Sequence, residues 1–257
     1  MHHWARPFLA LAATLLLTGC LWGPGKFTSD LALRKDGSFV LDYRGEIVLE
    51  TADAMTKKPW QAGMAHCTGS DMRERACSAA EIADQKKAYE EKQRSDEEAA
   101  KAFGLPGSDD ESNRAFAAKL MKYAGWRSVT YVGKGVFDVD YHAEGRLTQD
   151  FVFPLMPDSN FVIPFVALRR RSDGAVLINA PALTGGMNMF GPMAQQMGGD
   201  TKSSPPSRAE GRFTVHTDGE IMTNNSEDGP AADPLGRQVH WDIVPSSNKV
   251  PETLIRL

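Results

Sequence analysis

The sequence predicts an α+β fold: an antiparallel β-sheet built from hairpins, with a two-helix insertion. Three observations carry this. Apolar and polar residues alternate through much of the chain with the two-residue period of half-buried strands. Asp36-Gly37, Asp173-Gly174 and Asp218-Gly219 each separate two such runs, and Asp-Gly supplies the left-handed backbone that tight hairpin turns need. Between the first and second of these pairs, at about 78–125, lies a charged segment with helix-start signals. Helices segregated beside hairpins, rather than alternating with strands, define the α+β class.

The chain opens on a short basic start, Arg6, and an apolar run from Phe8 to Leu17. That run is too short for an ordinary membrane-spanning helix and has the length of the apolar part of a secretory signal. It ends in Leu17-Thr18-Gly19-Cys20, which resembles the bacterial lipobox. The resemblance implies a diacylglyceryl group on the Cys20 thiol and cleavage just before it. Residues 1–19 are then a lipoprotein signal peptide, and residues 20–26, with Gly23-Pro24-Gly25, a lipid-anchored spacer too short to carry the domain away from its membrane. Under the sorting rule of many Gram-negative lipoproteins, Leu21 in place of Asp after the Cys favours the outer membrane, facing the periplasm.

A single domain is expected over 27–257. Residues 27–50 form the first hairpin, with Phe39, Leu41 and Tyr43 alternating inward and Lys35-Asp36-Gly37 at the turn. Ser78-Ala79-Ala80-Glu81 is a capping box that opens a charged helix to about Phe103. Glu90 with Arg94 and Glu97 with Lys101 are i,i+4 pairs, and the apolar stripe of Ile82, Tyr89 and Phe103 is thin, as in an arm or a partner surface. Gly104 and Pro106-Gly107 stop it. Ser108-Asp109-Asp110-Glu111 reads as a second capping box, and Phe116, Leu120, Met121 and Ala124 mark a helix packed on a core and ending at Gly125. Strands are expected at 128–132, 136–141, 146–153, 161–169, 175–178, 213–217, 220–223 and 239–244. A long loop is expected at about 184–208, and a structureless stretch of that length is uncommon in a compact domain.

The three cysteines fit an oxidising compartment. With Cys20 acylated, Cys67 and Cys77 remain as a pair. A disulfide between them would close a loop of about 11 residues, worth roughly 2.5–3 kcal/mol in the chain-entropy model. The rival, a metal or redox pair with His66, lacks the Cys-x-x-Cys spacing, and one His and two Cys do not complete a site.

Four methionines, Met187, Met189, Met193 and Met197, lie beside Phe190 in the long loop. Thioethers suit Cu(I). Methionine also makes adaptable apolar contacts with partners or lipid. A flap packed on its own sheet uses the same residues. Arg169-Arg170-Arg171 closes an apolar run, where guanidinium groups suit the phosphates of lipid headgroups or lipopolysaccharide, or simply guard a strand end. His66, His142, His216 and His240 have no metal-ligand partner at i+2 or i+4, although His216 and His240 fall on different expected strands that can be neighbours in space. Asp138 and Asp140 share one strand face opposite Phe137, Val139 and Tyr141, as chelators or as a solvent face. Gly133-Lys134-Gly135 fails the dinucleotide pattern, and Asn224-Asn225-Ser226 has the composition of a turn. The patterns of a nucleophile elbow, a phosphate-binding loop and a His-Glu-x-x-His metalloprotease are absent from the sequence. Apolar residues at 42% permit a buried core, and a net charge of -4 is a poor match to nucleic acid.

The lipobox, the strand–Asp-Gly–strand unit at 27–50 and the run Gly236-Arg237-Gln238-Val239-His240-Trp241-Asp242-Ile243 together resemble the LppM-type lipoprotein domain. That resemblance implies an α+β envelope domain with lipid or glycolipid contact. The helical insertion and the Met-rich loop lie outside it. The expectation is a membrane-anchored, non-enzymatic binding or assembly module that contacts lipid, glycolipid or an envelope protein, with no cofactor and no nucleic acid. The alternatives are a metal-dependent envelope enzyme and a periplasmic Cu(I)-binding protein.

Overall fold

The computed structural model describes residues 22–49, 60–69, 73–102, 109–155, 164–184 and 207–257. Two stacked sheets and two helices form the α+β architecture that the alternation predicts. The larger sheet joins β1 (Trp22–Leu33), β2 (Ser38–Leu49), β5 (Trp126–Gly133), β6 (Val136–Arg146), β10 (Glu210–Thr217), β12 (Ala231–Asp233) and β13 (Gly236–Ile243). Its spatial order is β12-β13-β10-β1-β2-β6-β5. The smaller joins β7 (Phe151–Phe153), β8 (Val166–Arg170), β9 (Ala175–Asn179), β11 (Glu220–Asn224) and β14 (Glu252–Arg256), in the order β11-β14-β9-β8-β7. Every pairing in both sheets is antiparallel except β1 with β10, which is parallel.

The core forms where the inward faces meet. Leu31, Leu33, Leu41, Phe137, Phe213 and Val215 from the large sheet are fully buried against Phe153, Val166, Leu168, Val176, Ile178 and Ile255 from the small one. Tyr43 sits at its centre, with ring centroids 5.1 Å from Phe153 and 5.7 Å from both Phe165 and Phe27. The helix α2 (Asp110–Leu120) covers the start of the large sheet, where Phe116 stacks on Trp22 at 5.1 Å.

Two of the three Asp-Gly pairs make hairpins. Gly37 and Gly174 take left-handed φ values of +82° and +84° and close β1–β2 and β8–β9. The third does not. At Asp218-Gly219 the chain leaves the large sheet, because β10 pairs with β1 and β13 while β11 pairs with β14. Gly219 is not in a left-handed conformation; its lack of a side chain instead admits Ile255 Cγ2, which would lie 2.7 Å from a Cβ.

Other boundaries differ from expectation. The segment expected as a spacer is strand: β1 begins at Trp22, and Gly23 and Pro24 pair with Val48 and Ile47. The run expected as one strand at 146–153 is the end of β6, a turn and the short β7. The strand expected at 161–169 is described from Val166, and Phe161 lies outside the described residues. β14 is an addition: its short Thr253–Ile255 alternation at the chain end fills the gap between β9 and β11.

In the insertion, β3 (Cys67–Thr68) pairs with β4 (Glu74–Arg75), and α1 runs Ala79–Ala102. The capping box is made as predicted: Ser78 N–H donates to Glu81 at 2.9 Å and Glu81 N–H donates to Ser78 Oγ at 3.3 Å. Half-buried Ile82, Gln85 and Tyr89 form the narrow stripe, and Lys86–Glu90 (3.8 Å) and Lys87–Glu91 (3.9 Å) pair along the solvated side. Helix α2 starts one residue later than the expected box, with Asp109 accepting from Ser112 N–H at 2.8 Å, and it ends at Leu120 rather than Gly125. Met121 is consequently exposed.

The Arg75 guanidinium, then the Ser78 N–H and hydroxyl, bind the Glu81 carboxylate and lower its pKa from 4.5 to about 2. A carboxyl held below its unfolded value stabilises the fold above that value, and the contribution is lost as pH falls through the folded one. Carboxyl-carbon NMR should therefore show Glu81 titrating near 2, and higher in Arg75→Ala; a midpoint near 4.5 would show that the cap does not hold in solution.

Candidate functional site

Three surfaces present the chemistry. The first is the outer face of the large sheet. Strand periodicity places His240, Thr214, Asp30, Asp42 and His142 in one row across five strands. Each histidine there meets a carboxylate. His142 Nδ1 is 2.9 Å from Asp42, His216 Nδ1 is 3.1 Å from Asp233 and His240 Nε2 is 3.2 Å from Asp228. His216 and His240 do lie on adjoining strands, but they are diagonal across β10 and β13, since His216 faces Gln238 and His240 faces Thr214. The neighbouring row carries Arg212, which grips Asp242 with two bonds of 2.6 and 3.0 Å, and Arg44, 3.3 Å from Asp140. The Arg212 bond lowers the Asp242 pKa. Asp138 and Asp140 therefore belong to a solvated face, with Asp140 already paired.

A β-bulge in β1, between Pro24 and Phe27, opens a shallow groove of about 380 Å³ in this face. Lys26, Phe27, Thr28, Arg44, Glu210 and Gly211 line it. It holds two cations and one carboxylate, with no nucleophile beside a base. Among the described residues, no three His, Cys, Asp or Glu side chains converge on a common point that suits a metal ion.

The second surface is the end of the sandwich where the turns gather. Lys35 N–H donates to Asp218 at 2.7 Å, Leu147 N–H donates to Gly37 O at 2.8 Å and the Arg170 guanidinium donates to Leu147 O at 3.3 Å. Those bonds bring all three Asp-Gly turns together. Arg169 and Arg170 finish β8 and Arg171 opens the turn after it. Arg171 pairs with Asp173 at 3.1 Å, Arg146 with Asp36 at 3.3 Å and Arg256 with Glu220 at 2.9 Å. Trp22, at the other end of β1, is eleven residues from Leu33, or about 35 Å at ~3.3 Å per residue.

The third surface is α1 with the segment packed on it. Cys67 and Cys77 form a disulfide with Cα atoms 5.3 Å apart. Gln85 binds both backbone groups of His66, at 3.0 and 3.1 Å, and Trp60 lies on Tyr89 at 5.5 Å. His66 is thus held through its main chain.

Cys20 and the whole methionine cluster, Met187, Met189, Met193 and Met197 with Phe190, lie outside the described residues. One structural role was not visible in sequence. Asn225 accepts from Trp241 Nε1 and Glu252 N–H, both at 2.9 Å, and donates to Val250 O at 2.7 Å. The residue that reads as turn composition locks β11, β13 and β14 together.

No protein-family model matches the chain, and no curated protein matches it in sequence. Among solved structures it is similar to the folded domain of the LppM protein of Mycobacterium tuberculosis, at 9% identity over 92% of this chain and 91% of that one, with a TM-score of 0.29. At that TM-score no residue role passes from one chain to the other.

Proposed function

We propose that this chain is a lipid-anchored envelope lipoprotein. Its α+β sandwich acts as a non-enzymatic binding or assembly module for a lipid, a glycolipid or an envelope protein at the periplasmic face of the outer membrane. The lipobox run Leu17-Thr18-Gly19-Cys20, directly after an apolar signal segment, carries this reading. The Cys67–Cys77 disulfide supports an oxidising compartment. The exposed surfaces support recognition: a sheet face rich in charged side chains, and a long solvated helix whose narrow stripe packs on the segment that carries Trp60 and His66. Among the described residues no helix is long and apolar enough to cross a membrane. The proposed attachment is the acyl group on Cys20.

Metabolic labelling with palmitate tests the anchor. The unaltered chain should incorporate label and sediment with membranes, and Cys20→Ala should lose both. Label retained in Cys20→Ala would refute acylation at this residue. Crosslinking in living cells with the same control then separates the occupants. An envelope protein captured only by the acylated chain indicates assembly, whereas co-purified lipid without a protein indicates lipid binding.

A further inference from the structure

Only Leu21 lies between an acylated Cys20 and the first strand residue, Trp22. An extended chain spans at most about 3.6 Å per residue, so Trp22 is tethered within roughly 10 Å of the glyceryl group. The end of the sandwich that carries Trp22 must then meet the headgroup layer, and the register shows what that end presents. Trp22 pairs with Leu49, and Leu49 N–H donates to Gly135 O at 2.8 Å. The β5–β6 turn therefore lies two strands from the tether.

This turn is unusual in composition and conformation. Gly133, Lys134 and Gly135 all take left-handed φ values, +103°, +52° and +74°. Two of these are glycines, for which the region is accessible; the middle one is a lysine, which holds an ammonium at the tip. Beside it Val132 is 59% exposed. An exposed apolar side chain next to a lysine, whose aliphatic stem can lie along apolar groups while its charge stays in the polar layer, suits a bilayer interface. The turn is also stiffly backed. Tyr131 and Trp22 both pack on Phe137 at 5.2 Å, and Trp22 stacks on Phe116. Of the acids near the turn, Asp110 accepts from Tyr131 OH at 2.9 Å and lies 3.6 Å from Arg114, so its charge is engaged, while Asp138 lies on β6 opposite Thr130 and Glu46.

We propose that the β5–β6 turn, through Val132 and Lys134, docks on the anionic headgroup surface of the membrane that holds Cys20. The inference rests on the lipoprotein reading and extends it from a tether to a fixed orientation. The domain stands on this turn, and Arg169, Arg170 and Arg171 face away from their own membrane. That geometry takes the arginines away from the headgroups beneath the anchor.

The test uses the full acylated chain in vesicles of phosphatidylethanolamine and phosphatidylglycerol. Val132→Cys, Lys134→Cys and, at the far end, Arg171→Cys are each labelled with a nitroxide; Cys67 and Cys77 stay disulfide-bonded and the Cys20 thiol is consumed by its acyl group. Labels at 132 and 134 should be several-fold less accessible to a water-soluble nickel complex than the label at 171. Lys134→Glu should raise the accessibility of the label at 132. Mass spectrometry of the N-terminal peptide reports Cys20 independently. Acylated Cys20 with 132 and 134 as accessible as 171 overturns the docking surface alone. Unmodified Cys20 removes the lipoprotein reading and this surface with it.

Discussion

Tyr43→Ala should lower the unfolding free energy of the detergent-solubilised chain by about 4 kcal/mol, the range for an aromatic side chain deleted from a packed interior. The tyrosine is fully buried and joins the two sheets through Phe27, Phe153 and Phe165. Its hydroxyl donates to Glu46 O at 2.8 Å within β2. Burial pushes the phenol pKa well above its ordinary value, so the ring enters the core neutral. Tyr43→Phe keeps the ring and removes only the bond to Glu46 O, and should cost about 1 kcal/mol. Denaturant unfolding of the two variants separates packing from hydrogen bonding. Both proteins losing less than about 1 kcal/mol would mean that the two sheets do not meet through this ring. For a domain of this size, a loss of about 4 kcal/mol corresponds to a melting temperature lower by roughly 10 °C.

What the sequence displays and what it conceals follow from the range of the interactions. Alternation in Phe39, Leu41 and Tyr43, the Ser78–Glu81 capping box and the turns at Gly37 and Gly174 are local, and each can be read from a few neighbouring residues. Pairing is not local. Nothing near Asp218-Gly219 tells a hairpin from a crossing between sheets, since the choice depends on β13 and β14 arriving later to claim β10 and β11. The parallel pairing of Lys26–Leu33 with Glu210–Thr217 joins residues more than 180 positions apart. Gly23-Pro24-Gly25 carries a linker's composition yet lies in a strand, because Gly25 leaves room for Glu46, whose Oε2 would sit 2.5 Å from a Cβ there.

The candidate surfaces divide in the same way. The disulfide followed from cysteine count and compartment. The grouping of His142, His216 and His240 on one sheet face depends on strand order, although each one's outward direction follows from its apolar neighbours. The arginine triplet was visible as a charge run, but its place at the end of the sandwich opposite Trp22 required the bonds through Leu147 and Gly37. Under the proposed anchor, that placement alters the chemistry to be sought, because an anion at the tether and one about 35 Å from it would lie in different layers of the envelope.

The β1 bulge links this orientation to stability, and it depends on two glycines from opposite neighbours. A Cβ on Gly45 of β2 would overlap Lys26 O and come within 2.6 Å of Phe27 Cα, and a Cβ on Gly211 of β10 would overlap Phe27 O and come within 2.9 Å of Phe27 Cδ1. The colliding atoms are mostly backbone, which cannot rotate aside. Gly45 also has φ +137°, a conformation open essentially to glycine. Gly45→Ala should therefore cost at least about 3 kcal/mol, as strain adds to overpacking. Gly211→Ala, with the clash but an ordinary φ, should cost about 2–3 kcal/mol. Gly174→Ala supplies the contrast: its φ is +84° but nothing lies within 4 Å of the added methyl, so about 1 kcal/mol is expected from conformation alone. Equilibrium unfolding of the three variants orders them, and Gly211→Ala no worse than Gly174→Ala would show that the bulge can shift to admit a methyl. The same bulge lies beside the groove of Lys26, Thr28 and Arg44 and between Trp22 and the rest of β1. A variant that survives by straightening β1 should close that groove and move the β5–β6 turn relative to the tether, so the accessibility of a label at 132 would report the change in the membrane-bound chain.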